Sequence, residues 1–177
     1  EVMTNSIYND QKMEFETIKL INPLNNELSV LRTSLIPGLI NVFETNLKSS
    51  INNQKFFEMG RTFKQFKNKI VEQDKIAGIF YFDFQKIFKQ ETIEWFKVKG
   101  FLEILLQIFG YNNLEFQKIN KNLKLYHPTR SVIIKSNDII LGVFGELNPK
   151  FDQFKELKKR VYIFELNLDL LKNCRAN

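Results

Sequence analysis

Residues Ile76 to Phe82 read Ile-Ala-Gly-Ile-Phe-Tyr-Phe, seven positions with no charged side chain on either alternating set. A strand exposed on one face would alternate apolar with polar. A run apolar on both sets belongs inside a sheet, covered on both sides. The run predicts a central strand over Ile76 to Phe84, and a sheet with further strands beside it. At seven residues it is far too short to span a bilayer, which takes roughly 20.

The rest of the chain supplies the other strands and two clear helices. Glu1 to Tyr8 and Phe15 to Ile21 read as extended, and Asn22-Pro23-Leu24-Asn25-Asn26 as a turn, because Pro presets φ and Asn tolerates left-handed geometry. A helix follows, with Thr33 or Ser34 as its cap and Pro37 in its first turn, where the missing N–H is harmless. Leu35, Ile36, Leu39, Ile40, Phe43 and Leu47 then recur at spacings of three and four, one apolar stripe. Gly38 costs about 1 kcal/mol of helix propensity there, which points to a close approach by a neighbouring backbone or chain.

Lys55 to Met59 and Arg61 to Phe66 read as a strand pair or one strand bent at Gly60. Trp95 to Phe109 reads as the second helix, with Phe101, Leu102, Leu105, Ile108 and Phe109 on its packed side and Gly110 as its stop. Leu114 to Ile119 is a short strand. Ser131 to Lys135 and Ile139 to Phe144 form a hairpin across Ser136-Asn137-Asp138. Pro149 to Leu157 reads as a short helix, and Val161 to Asn167 as a last strand running into a helical turn at Leu168 to Lys172. Antiparallel strands with helices at separate points make the chain an α+β domain.

Composition narrows the chemistry. Cys174 and His127 are the only cysteine and histidine, so internal disulfides, zinc fingers and any reaction needing two imidazoles are excluded. The formal charge of +6 and pI near 9.3 would suggest nucleic acid as a partner. However, Lys, Asn, Ile and Phe together make 77 of the 177 residues, while Ala occurs twice. Those four residues share A/T-rich codons, so the charge follows genome composition more than a phosphate surface. The lysines are scattered, with Lys158-Lys159-Arg160 the one basic triplet. No nucleophile elbow, phosphate loop or dinucleotide fingerprint is present. His127, before Pro128, is expected to be a structural residue at a turn. Glu146, Glu165 and Asp169 are expected to face solvent or cap an element.

Five stretches carry a resemblance. The run from Asn22-Pro23-Leu24 through Leu31-Arg32-Thr33-Ser34-Leu35-Ile36-Pro37-Gly38-Leu39 resembles the β subunit of bacterial-type phenylalanine–tRNA ligase. So, in order, do Phe57-Glu58-Met59-Gly60-Arg61-Thr62-Phe63, His127-Pro128-Thr129-Arg130-Ser131, Gly142-Val143-Phe144-Gly145-Glu146-Leu147-Asn148-Pro149 and Val161-Tyr162-Ile163-Phe164-Glu165-Leu166-Asn167-Leu168-Asp169. The resemblance implies the catalytic-like module of that subunit, a class II aminoacyl-tRNA synthetase-like antiparallel sheet flanked by helices. The chain begins at Glu1 without a Met, and it is expected to be an internal piece of a longer subunit. Residues 1–177 would form one core domain, with 1–21 as an entry segment and 173–177 as the start of a linker.

The resemblance also implies a loss. Class II synthetases hold ATP with an Arg and a Glu in a G-x-x-F-R-x-E pattern, the Arg stabilising charge on the α-phosphate. Here Lys64 stands at the Arg position, without the planar bidentate fork, and Phe66 at the Glu position. The third class II motif needs small glycines before an Arg that stacks on adenine. Glu165, Asn167 and Leu170 occupy that stretch, and Phe164 to Leu171 holds neither Arg nor Gly. The module is therefore expected to be non-catalytic and to bind no cofactor itself, ATP and Mg belonging to the whole enzyme. Its expected partner is the catalytic α subunit of an α2β2 assembly, with tRNA(Phe) bound through the whole complex and neither membrane nor DNA involved.

Contact with the α subunit is expected on the helix Ser34 to Leu47 and the segment before it. The candidates are Asn22, Pro23, Leu24, Leu31, Arg32, Leu35, Pro37, Leu39 and Phe43. Whether that apolar stripe meets a partner or its own sheet stays open at this point. Two rivals remain: an RNA-binding module gripping tRNA phosphates with lysines, and a stand-alone adenylating enzyme dependent on Lys64. The expected compartment is bacterial cytoplasm or plastid stroma.

Overall fold

A computed structural model describes residues 17–22, 29–48, 53–67, 69–82, 91–119, 123, 125–150 and 160–173. The elements are α1 (Ile36–Lys48), β1 (Gln54–Phe66), β2 (Lys69–Tyr81), α2 (Glu91–Ile108), β3 (Glu115–Lys118), β4 (Tyr126–Ser136), β5 (Ile139–Leu147), β6 (Val161–Asn167) and α3 (Leu168–Asn173). The strands form one sheet of order β1-β2-β6-β5-β4-β3, with every adjacent pair antiparallel. Expectations for residues 1–16, Pro23 and Leu24, the Pro149–Leu157 helix beyond Lys150, Lys158, Lys159 and Cys174 lie outside the described residues.

The apolar run that opened the reading lies where it must. β2 is longer than expected, starting at Lys69, and its two halves differ. Lys75 to Tyr81 pairs with β1 on one side and β6 on the other, whereas Lys69 to Asp74 pairs with β1 alone. Burial follows pairing: the first four residues are exposed, and Lys75 to Ile79 are buried. One face of the sheet packs on α1, through Leu35, Ile36, Leu39, Ile40 and Phe43 against Ala77, Ile79, Val143 and Ile163. The other face packs on α2 and α3, through Val98, Leu102, Leu106 and Leu171 against Phe144, Tyr162, Phe164 and Leu166.

The local signals explain the turns. Asn137 and Asp138 both take positive φ, 46° and 66°, as a two-residue turn matched to strand twist requires. β1 is one 13-residue strand, and Gly60 does not break it. A side chain at Gly60 would run into the guanidinium of Arg32, whose Nε donates to the Arg61 carbonyl at 2.8 Å. Gly110 ends α2 with φ 93°. Tyr111 N–H bonds to Leu106 O at 3.0 Å and Gly110 N–H to Gln107 O at 2.9 Å, a Schellman closure.

One packing expectation is corrected in part, and at Gly38 the described residues of this chain supply no close neighbour. Leu102, Leu105 and Phe109 of α2 pack on the core as expected, beside Val98 and Leu106, while Phe101 and Ile108 are 49% and 59% exposed. The helix is apolar nearly all round, so periodicity alone does not select its packed side. At Gly38 the nearest atom to an added Cβ is Glu58 Oε2 at 3.7 Å, an ordinary contact. Among the described residues no neighbour crowds that glycine.

Candidate functional site

Of the positions aligned with the nucleotide motifs, Glu165 lies at the N-terminus of α1, Asn167 and Leu170 lie at α3, and Phe66 lies at the end of β1. Glu165 is paired with Ala77 in the β6–β2 ladder, and Lys75 with Asn167. Their side chains therefore emerge on the face that α1 covers. Lys75 Nζ lies 2.6 Å from Glu165 Oε2, and both residues are buried. The other carboxylate oxygen, Oε1, accepts from Ser34 Oγ at 2.7 Å and from Leu35 N–H at 2.8 Å. Ser34 Oγ in turn accepts from Ile36 N–H at 3.2 Å, the cap expected of it. A buried carboxylate thus satisfies the orphan donors of α1 and is favoured by the positive end of the helix dipole.

The expectation that Glu165 would face solvent or cap an element is met in its second form. It caps, but from inside the core. Both of its oxygens are engaged from within the chain, so this arrangement holds a helix to a sheet and leaves no carboxylate oxygen turned toward a ligand. Lys64 lies on the same face of β1. Burial, then the neighbouring charge of Lys75, pushes its ammonium down to about 8, against the pull of Glu165.

The remaining motif positions have local structural work. Asn167 Oδ1 accepts from Asp169 N–H at 3.0 Å and Leu170 N–H at 3.3 Å, so the residue at a glycine position of the motif caps α3. Asp169 Oδ2 accepts from Asp74 N–H at 2.9 Å, fastening α3 to β2 rather than facing solvent. The Leu170 carbonyl accepts from Tyr111 Oη at 2.8 Å. Phe66 closes β1, with Lys67 Nζ 5.3 Å from its ring centre. Lys75 escaped the sequence reading. Its signal was its place in alternation with Ala77, Ile79 and Tyr81, a lysine continuing a buried face.

The interface candidates divide sharply. Leu35, Leu39 and Phe43 are 1%, 4% and 0% exposed within this chain's own core, which removes them as surface anchors. The alternative left open for the helix is thereby decided for these three: the stripe meets its own sheet. Leu31 and Pro37 are half-buried, while Asn22 and Arg32 are exposed. Arg32 pairs with Glu58 at 2.5 Å. The outward face of α1 carries Gly38, Asn41, Val42 and Thr45.

Glu146 is also corrected. It is 5% exposed, held bidentately by Arg130 through Nε and Nη2, with Arg160 Nε 3.5 Å from Oε2. His127 Nδ1 accepts from Thr129 N–H at 3.2 Å, organising its own turn. Burial, then the charge of Arg130, lowers its pKa, so it is neutral at pH 7. Among the described residues no three His, Cys, Asp or Glu group together to hold a metal, and no helix is long and apolar enough to cross a membrane.

Comparison with known proteins agrees with this geometry. Residues 1–168 match the family model of the phenylalanyl tRNA synthetase beta chain CLM domain. The phenylalanine–tRNA ligase beta subunit of Trichormus variabilis is 38% identical over 163 residues, 89% of this chain and 20% of that subunit. The chloroplastic beta subunit of Phaeodactylum tricornutum is 32% identical over 184 residues, 97% of this chain and 25% of its own length. The chain thus spans about a fifth to a quarter of these relatives. Among solved structures, a pyrrolysyl tRNA synthetase of Desulfitobacterium hafniense superposes with TM-score 0.62 at 15% identity, covering 88% of this chain and 53% of that one. That likeness establishes the class II synthetase fold. By motif order, fold and family match, the chain belongs to the CLM domain family of the phenylalanyl-tRNA synthetase β chain.

Proposed function

We propose that the chain is a non-catalytic, class II-like module of phenylalanine–tRNA ligase. In this reading it pairs with the catalytic α subunit of an α2β2 assembly and supports it in charging tRNA(Phe) with phenylalanine. The observation that carries the reading is the state of Glu165 and Lys75. Glu165, at a position aligned with the third motif, is bound to Lys75 and to the N-terminus of α1. The motif positions do not fit a nucleotide: a Phe stands where a carboxylate is needed, and the carboxylate present is already engaged. ATP and Mg belong, on this reading, to the whole enzyme, in bacterial cytoplasm or plastid stroma.

Pairing would use the outward face of α1. Gly38, Asn41, Val42 and Thr45 are spaced so that a partner helix could approach closely at Gly38, which this chain leaves uncrowded. Against the rival RNA-binding reading, the lysines are scattered along the chain, and Lys75 is spent in the core on Glu165. The test is coexpression with a phenylalanine–tRNA ligase α subunit. The wild-type chain co-purifies with it and shows no ATP–pyrophosphate exchange by itself. Gly38→Leu folds normally and weakens co-purification at least tenfold. Robust exchange by the chain alone, or full retention of Gly38→Leu and Val42→Arg, sinks the reading.

A further inference from the structure

A cavity of about 400 Å³ opens on the far side of the molecule, where β4, β3 and the start of β6 meet α2. Its walls include Trp95, Phe116, Lys118, Arg130, Ser131 and Arg160, and among the described residues no carboxylate lines it. Trp95 is backed by Phe144, ring centres 4.3 Å apart, and Tyr162 stands edge-on at 6.2 Å. Glu146, buried behind the wall, fixes Arg130 bidentately and reaches Arg160. This buried carboxylate orients two guanidinium groups without entering the cavity itself.

Three motifs that the pairing role does not use converge here. Arg130 comes from His127-Pro128-Thr129-Arg130-Ser131, Glu146 from the Gly145-Glu146-Leu147 stretch, and Arg160 immediately precedes Val161. Between Tyr126 and Ser131 the β4–β5 register shifts, so that residues 127–130 bulge opposite Glu146 alone. That bulge delivers Arg130 to the cavity wall.

The lining selects a ligand class. Three cations, with no carboxylate lining the cavity among the described residues, favour an anion over a zwitterion such as a free amino acid. The aromatic pair favours a planar ring. The volume falls in the range of small-ligand sites, roughly 300–1,000 Å³. We infer that this cavity binds a nucleoside monophosphate unit, its base against Trp95 and Phe116 and its phosphate against Arg160, Arg130 and Lys118. The unit is either a free nucleotide or a terminal nucleotide of RNA, and the site is separate from the motif positions at α1.

Trp95 is the only tryptophan of the chain, so its fluorescence reports this site alone. The experiment titrates the 177-residue chain with AMP, adenosine and inorganic phosphate, with equilibrium dialysis of labelled AMP beside it. AMP binds saturably, and adenosine and phosphate each bind at least tenfold more weakly. Arg160→Gln weakens AMP at least tenfold and Lys118→Gln about threefold, both with an unchanged circular-dichroism spectrum. A 5′-phosphorylated trinucleotide binding tenfold tighter than AMP assigns the site to an RNA end, and equal affinity assigns it to a free nucleotide. No AMP retained in dialysis, adenosine equal to AMP, or both variants binding like wild type overturns the inference.

Discussion

Glu165 and Glu146 sit on adjacent strands of one sheet, both buried and both ion-paired, yet they do opposite things. Glu165 points toward α1, and its partners are a serine, a backbone amide and a lysine that is itself 1% exposed. Everything it touches belongs to the core, so its charge closes a site. Glu146 points toward α2, and its partners are two arginines with side chains 39% and 28% exposed. Its charge holds cations at a surface. The difference lies in the partner's reach. A lysine met end-on by a carboxylate is consumed, whereas a guanidinium bound along one edge still presents a charged plane to its surroundings.

The comparison breaks hardest at Lys75. Lys75→Met leaves Glu165 buried without its cation and is expected to cost about 3–5 kcal/mol, read from urea unfolding. The double variant with Glu165→Gln recovers part of that loss, because the amide oxygen still accepts from the α1 terminus. At the open site, Arg130→Ala removes a partner that is two-fifths exposed. Arg160 still faces the buried Glu146 carboxylate, and a smaller cost of about 1–2 kcal/mol is expected. A loss at Arg130 equal to that at Lys75 would erase the distinction between the two sites. Asn167→Ala, which uncaps α3, is expected to cost about 1 kcal/mol by the same measurement.

A further effect is a pH dependence on the α1 side. In the unfolded chain Lys64 keeps its proton to about the ordinary value of 10.5, while in the native state it releases it near 8. Between those values unfolding takes up a proton, so native stability rises with pH across that window. Lys64→Met removes this rise, measured as the difference in urea midpoints between the two proteins at pH 7 and pH 9.5. An identical slope in both proteins would show that Lys64 is not desolvated.

Much of this molecule was legible from its residues, for reasons that vary by element. The Asn137-Asp138 hairpin and the passage from Val161–Asn167 into a helix carry strong local signals, and both stand in the structure. The central strand was legible from Ile76 onward, where both faces are covered. Its polar half, Lys69 to Asp74, was not, because a two-stranded ribbon in water has no apolar pattern to announce it. The packed side of α2 was legible only in part, at Leu102, Leu105 and Phe109 but not at Phe101 and Ile108, because apolar residues ring the helix. The burial of Glu165 and Glu146 was missed because a lone glutamate reads as surface until its partner is known, and those partners lie 90 and 16 residues away. The motif resemblance located the family, but only three-dimensional contact showed which motif residues were spent on the core.

One edge of the sheet has a consequence for handling the chain. β1 is the outermost strand, and Arg32 covers it only in passing, through its carbonyl to Phe63 N–H at 2.9 Å and its side chain to Arg61 O. Toward Lys55 the same edge carries Phe57 and Met59, 72% and 61% exposed. An open strand edge beside apolar side chains is a template for another strand. Samples kept dilute will therefore stay monodisperse longer than concentrated ones, and Met59→Lys, which puts a charge on that edge, will extend the shelf life of the protein before it touches any activity.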